Sequence, residues 1–124
     1  MIRVTEIAFT GYPVSDIARA RAFYEGVLGL TASMAHEFQP GVWWVEYDIG
    51  AGTLALSNAW PPSGQSGPSV ALEVEDFDAA VQALAAAGVK FNHGPVETPV
   101  CHLGVIADPD GNGITIHRRK PGHS

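Results

Sequence analysis

The stretch YPVSDIARARAFYEGVLGL, Tyr12 to Leu30, decides the fold because its plan returns later in the chain as LEVEDFDAAVQALAAAGV, Leu72 to Val89. Each copy runs from a short apolar strand through Val-x-Asp into a helix that stops at glycine. In the first copy Asp16 or Ser15 can cap the helix by accepting a bond from a backbone N–H that every helix start leaves unpaired. Ile17, Ala20, Tyr24, Val27 and Leu28 then recur at helical spacing, and Gly29 supplies the left-handed position that ends the helix. In the second copy Asp76 caps, Phe77, Ala80, Val81, Leu84 and Ala87 form the stripe, and Gly88 closes it. The copies share their order of elements and little identity.

Strands fill the remainder. Thr31 to Phe38, Val42 to Ile49 and Thr53 to Asn58 are separated by Gln39-Pro40-Gly41 and Gly50-Ala51-Gly52, whose Gly and Pro suit tight reversals. After the second helix, Val89 to Asn92 reads as a weak strand, Val100 to Ala107 as a strong one, and Asn112 to His117 as the last. Each half is therefore strand, helix and about three strands. This gives one domain, 1–124, made of a first module at about 1–58, a linker at 59–68 (AWPPSGQSGP), a second module at about 69–118 and a tail at 119–124. Such a repeat yields an antiparallel-rich sheet with both helices on one face and a hollow on the other. Alternation sorts the side chains. Val70, Leu72, Val74, Ile114, Ile116, Leu54 and Leu56 go to the helix side, while Ser69, Ala71, Glu73, Thr53, Ala55, Ser57, Thr115 and His117 face the hollow.

Bulk composition narrows the function. With 124 residues and 46% hydrophobic content the chain can bury an ordinary core. One cysteine, Cys101, allows no internal disulfide, and no apolar run is long enough for a bilayer span or a secretory signal. The expected compartment is the cytoplasm, with no membrane partner. Seven basic against thirteen acidic residues give a net charge of -6, which argues against nucleic acid as a partner. Arg118-Arg119-Lys120, the one basic cluster, reads as a solvated tail.

Together with DPDGNGITI, Asp108 to Ile116, the duplicated plan resembles the vicinal oxygen chelate superfamily, which contains glyoxalase I, ring-cleaving dioxygenases, epimerases and bleomycin-resistance proteins. The likeness runs from Ile7 to His117. It implies an α+β fold in which two βαβββ modules form a curved mixed sheet with a concave ligand cavity and helices on the outer face. Enzymes of that superfamily hold a divalent metal on the concave face, and the resemblance gives each ligand a position here. The first-strand histidine falls on Phe9, the fourth-strand carboxylate on Ala55, the histidine opening the fifth strand on Ser69, and the glutamate third after Asn112 on Thr115. Phe and Ala offer a cation no lone pair, and Ser and Thr hydroxyls are neutral, weak donors. The resemblance is thus to a member with vacated ligand positions, and neither metal nor other cofactor is expected.

A different metal site could draw on His102, His117, Glu46 and Glu73, but no His-x-His, His-x3-His or Cys-x2-Cys spacing supports a cluster, and His36, His93 and His123 fall in loop or tail positions. Cys101 and His102 are adjacent on a strand and point to opposite faces, so they share no proton, and Cys101 reads as a buried small hydrophobe. His102 either lines the cavity or reaches a backbone carbonyl near Pro95 to Pro99. The aspartates of DPDGN read as turn residues.

Aromatic side chains carry the positive signal. Phe9, Phe38, Trp43, Trp44, Tyr47 and Trp60 concentrate in or beside the first half's strands, and of Trp43 and Trp44 only one can border the hollow. With Phe9 in place of a ligand the cavity floor is apolar, which suits flat hydrophobic molecules held by ring contacts and a few polar anchors. The leading expectation is a metal-independent small-molecule-binding protein for an apolar or aromatic compound, with a cationic one compatible with the net charge. Its ligand-binding candidates are Phe9, Trp44 and Ala55 from the first module, with Ser69, Ala71, Glu73, Thr115 and His117 from the second. The alternative is an enzyme: a metal-free lyase, isomerase or cyclase with Glu73 or His117 as base and His102 as a further catalytic candidate, or a glyoxalase- or dioxygenase-like enzyme with noncanonical metal ligands. Burial of open sheet edges predicts a homodimer.

Overall fold

In the computed structural model, which describes residues 1, 3, 5–64 and 69–122, both helices begin where an aspartate satisfies an orphan donor. Asp16 accepts from the Arg19 backbone N–H and Asp76 from that of Ala79, each at 3.0 Å. The first helix, α1, covers Ile17–Arg21 and continues as a wider turn over Ala22–Val27, in which the Leu28 N–H reaches back to the Phe23 carbonyl. Gly29, at φ +72°, then turns the chain so that the Leu30 N–H closes on Tyr24. The second helix, α2, spans Phe77–Ala86 and ends at Gly88 in the same left-handed conformation.

The chain divides at Ser63/Gly64, inside the Pro- and Gly-rich linker stretch, into two units. Residues 65–68 of that stretch and His123 lie outside the described residues. In the first unit four strands, β1 (Thr10–Pro13), β2 (Met34–Gln39), β3 (Val42–Ile49) and β4 (Gly52–Ser57), form a sheet in the order β1-β4-β3-β2. β1 and β4 run parallel, and the other pairs are antiparallel neighbours joined by tight turns. The second unit repeats the plan with β5 (Val70–Glu73), β6 (His93–Glu97), β7 (Cys101–Ala107) and β8 (Gly113–Arg119) in the order β5-β8-β7-β6. This is the expected α+β fold of two βαβββ modules. Among the described residues no helix is long and apolar enough to cross a membrane.

The helix side of the first sheet carries that unit's core. Tyr24, Val45, Tyr47, Leu54 and Leu56 are buried there, each aliphatic side chain contributing about 1.5–3 kcal/mol. Tyr24 stacks on Tyr47 with ring centroids 6.1 Å apart, which fixes α1 over β3. The Tyr47 hydroxyl donates to Glu25 Oε2 at 2.9 Å, and Arg21 Nε donates to the same oxygen at 2.6 Å. Burial and the adjacent Glu25 raise the Tyr47 hydroxyl well above the ordinary tyrosine value, while Arg21 holds the Glu25 carboxyl below its own. In the second unit Ile106, Ile114, Ile116, Phe77 and Leu84 fill the equivalent place.

Asp108 is the keystone of the DPDGN turn between β7 and β8. Its buried carboxylate accepts from the backbone N–H groups of Asp110 and Asn112, both at 2.9 Å, and from Asn112 Nδ2 at 2.8 Å. The turn reading of these aspartates therefore acquires a specific hydrogen-bond network.

Three expectations need correction. Val89 to Asn92 is no strand, because the Val89 N–H is consumed in closing α2 on Leu84 and Phe91 packs its ring over Gly104, so strand β6 starts only at His93. β2 starts at Met34 rather than Thr31, and it carries His36, so neither His36 nor His93 is a loop residue. β8 extends to Arg119, two residues past the expected end, so Arg118 and Arg119 are strand rather than tail.

Candidate functional site

Strand register fixes which side chains share the face of the first sheet opposite α1. Cross-strand partners point the same way, so Gly11, Ala55, Glu46 and Met34 form one row, and Ser57, Trp44 and His36 the next. Onto these rows fold Phe9, just before β1, and Trp60, just after β4. Trp44 is the hub. Its ring lies 5.1 Å from Phe9 in an edge-on arrangement, 6.4 Å from Trp60 and 6.5 Å from Phe38, and Phe38 in turn meets His36 at 4.9 Å.

Gly11 lies beneath this cluster, where a β-carbon would meet Phe9 at 3.6 Å and Trp60 at 3.7 Å, ordinary van der Waals contact. Ala55, beside Gly11, is fully buried, yet the rings above remain open: Phe9 is 47% exposed, Phe38 59% and Trp60 39%. Large apolar groups left exposed together mark an interaction surface rather than a core. One charge sits among them, for Trp44 Nε1–H donates to Glu46 Oε2 at 2.7 Å. By register Trp44 lies on the sheet face opposite α1 and Trp43 on the other, as strand parity requires.

The second sheet presents a more polar open face. Ala71, Thr115 and Val105 form one row there, and Glu73, His117 and Leu103 the next. His117 and Glu73 meet at 2.5 Å through Nδ1 and Oε1, and the other carboxylate oxygen accepts the Arg119 backbone N–H at 2.7 Å. That backbone donor first, and His117 second, hold the Glu73 carboxyl below the usual carboxylate range. His102 lies on the opposite, helix-covered side, its ring 5.5 Å from Phe77, and so does not join this row. Ser69 precedes β5 and is exposed. Cys101 is buried, with its sulfur 3.2 Å from the Thr98 hydroxyl.

The side chains at the superfamily's ligand positions do not fit a divalent cation. Phe9 and Ala55 have no donor atom, Ser69 and Thr115 have only neutral hydroxyls, and among the described residues no three His, Cys, Asp or Glu side chains gather closely enough to hold a metal. The nearest carboxylate to Ala55 across the strand pair is Glu46, and it is engaged by Trp44.

Strand alternation alone put Ala55, Ala71, Glu73, Thr115 and His117 on open faces, while Phe9 came from the family resemblance and the choice between Trp43 and Trp44 was left open. Alternation missed Gly11 and His36. A signal for both existed in the register: Gly11 is the β1 residue opposite Ala55, and His36 stands across from Trp44.

Comparison with known proteins bears on the same residues. The model of the Glyoxalase/Bleomycin resistance protein/Dioxygenase superfamily matches residues 6–116. Among solved structures, TnmS3, an antibiotic binding protein from Streptomyces sp. CB03234, superimposes with a TM-score of 0.80 at 26% identity, covering 97% of this chain and 100% of that one. A glyoxalase/bleomycin resistance protein from the same organism gives 0.76 at 28% identity over 91% and 100%. The trypanothione-dependent glyoxalase I of Leishmania major gives 0.73 at 19% identity over 93% and 87%, a likeness of fold alone. No curated protein matches the sequence.

Proposed function

We propose that this chain, which belongs to the Glyoxalase/Bleomycin resistance protein/Dioxygenase superfamily, is a metal-independent binding protein for an apolar or aromatic small molecule. The observation that carries this reading is the ring cluster of exposed Phe9, Phe38 and Trp60 around half-buried Trp44 on the sheet face opposite α1. Flat ligands gain from such rings by offset or edge-on contact, and a concentrated aromatic surface with one or two polar anchors is the usual make-up of a small-molecule site. The Glu46 carboxylate, held by Trp44, gives a ligand with a positive charge the better fit, since a cation is attracted both to the carboxylate and to the ring faces. The vacated ligand positions remove the means by which the superfamily's enzymes bind metal. The similarity to an antibiotic binding protein supports sequestration of a small molecule over turnover.

A thermal-shift screen of aromatic metabolites and antibiotics, run in chelator, tests this reading. A compound that raises the melting temperature and quenches tryptophan fluorescence in proportion to its occupancy, with no product formed, is the expected result. Turnover of that compound, or stabilisation only after a divalent metal is added, would count against it.

A further inference from the structure

The Glu73–His117 pair on the second sheet has a geometry that ring stacking on the first sheet leaves unused. Glu73 is an ionised carboxylate and so only accepts hydrogen bonds. Its Oε1 therefore takes the proton of His117 Nδ1, at 2.5 Å, while Oε2 takes the Arg119 N–H at 2.7 Å. In the tautomer that donates from Nδ1, the ring lone pair of His117 lies on Nε2. Nε2 has no hydrogen-bond partner among the described residues, and a quarter of the side chain, 25%, remains exposed. On this face Leu103 beside His117 on β7, Thr115 on β8 and Ala71 on β5 are apolar or neutral, and His93, opposite Val105, is a further titratable side chain. Charged groups near the pair are Arg118, whose guanidinium lies 3.8 Å from Glu73 Oε2, and Arg119, which follows on β8.

From this we infer that the open face of the second sheet is a binding site for an acidic hydroxyl, a phenol or an enol, whose proton passes to His117 Nε2. On binding, the ligand O–H bond breaks and an N–H bond forms on Nε2. The electron pair stays on oxygen as a phenolate or enolate, paired with the imidazolium. Glu73 is the positioning residue: its carboxylate fixes the tautomer and balances the imidazolium charge, as a buried carboxylate does for the histidine of a hydrolase triad. The site does not depend on the ring cluster of the first sheet.

A nitrophenol is a suitable probe because its phenolate absorbs in the visible and its neutral form does not. It is added to the full chain at a pH where the free probe is mostly protonated. Wild type is expected to raise the phenolate fraction of bound probe by about tenfold over the free probe, the equivalent of one unit of pKa. His117→Gln should abolish that rise. Glu73→Gln should reduce it with near-ultraviolet circular dichroism unchanged, which separates positioning from a mere strand-end contact to Arg119. The nitrophenyl methyl ether, which has no proton to give, should produce no such band with any variant. The inference is overturned if wild type leaves the phenolate fraction at the free-probe value, or if His117→Gln matches wild type. A Glu73→Gln variant that lowers thermal stability yet keeps the full phenolate band overturns the positioning role. Tryptophan quenching by the screened aromatic compound reads the first sheet separately, so failure at either face is distinguishable from failure at the other.

Discussion

Replacing Trp44 with leucine keeps an apolar group of moderate bulk on the first sheet but removes the ring that joins Phe9, Phe38 and Trp60. Three ring pairs go with it, one at 5.1 Å and two at 6.4–6.5 Å, together with the Nε1–H bond to Glu46. Aromatic pairs are worth about 0.5–1.5 kcal/mol each, with the two longer contacts at the lower end, and central aromatic anchors of binding surfaces cost about 2 kcal/mol or more when truncated. A ligand seated on this cluster should then lose about 2 kcal/mol, a rise in Kd of about 30-fold. Trp44→Phe retains a ring and forfeits mainly the hydrogen bond, so its Kd should rise by about fivefold, near 1 kcal/mol. Calorimetric titration of the screened compound into each variant measures both values, with circular dichroism confirming an unchanged fold. A Trp44→Leu protein that is folded and binds within about twofold of wild type would refute the assignment of the site to this face.

Three further outcomes follow from the same structure. Asp108→Ala removes the acceptor of three hydrogen bonds in the β7–β8 turn, so at about 1 kcal/mol apiece it should cost about 3 kcal/mol and lower Tm by about 10 °C in a thermal melt. Glu25 has a folded pKa below its unfolded one, because Arg21 and Tyr47 favour its charged form. The stabilisation it gives is therefore fully present above the ordinary carboxylate pKa of about 4.3 and is lost as pH falls through the lowered folded value. Denaturant melts of wild type and Glu25→Gln across that acid window should converge as pH falls, and parallel curves would contradict the linkage. Light scattering at micromolar concentration should return the mass of two chains, since the fully exposed edge strand β2 invites pairing; the mass of one chain would reject the dimer.

Much of the scaffold was readable before any coordinates because it rests on local chemistry. Asp16 and Asp76 stand where a helix start needs an acceptor, and glycines stand where a left-handed turn is needed. Val42–Ile49 was bounded correctly because turn residues flank it on both sides. The failures lie where local pattern and tertiary use diverge. Val89 looks like strand but serves the end of α2, and every residue of β2 is exposed, so no apolar alternation marked His36 as sharing a face with the ring cluster. Parity put Glu73 and His117 on one face, yet only the parallel register of β5 with β8 brings their polar atoms together. Gly11 was missed for a related reason: it has no side chain whose alternation could mark its face, and only the pairing with Ala55 puts it beneath Phe9 and Trp60.

The central claim is that an organic ligand is gripped by aromatic side chains without help from a divalent ion. Calorimetric titration of the screened aromatic compound into protein exhaustively treated with chelator examines it head on. The account predicts one ligand per chain with an affinity equal to that of untreated protein. Loss of binding on chelation, restored by adding back a single divalent metal, would contradict it.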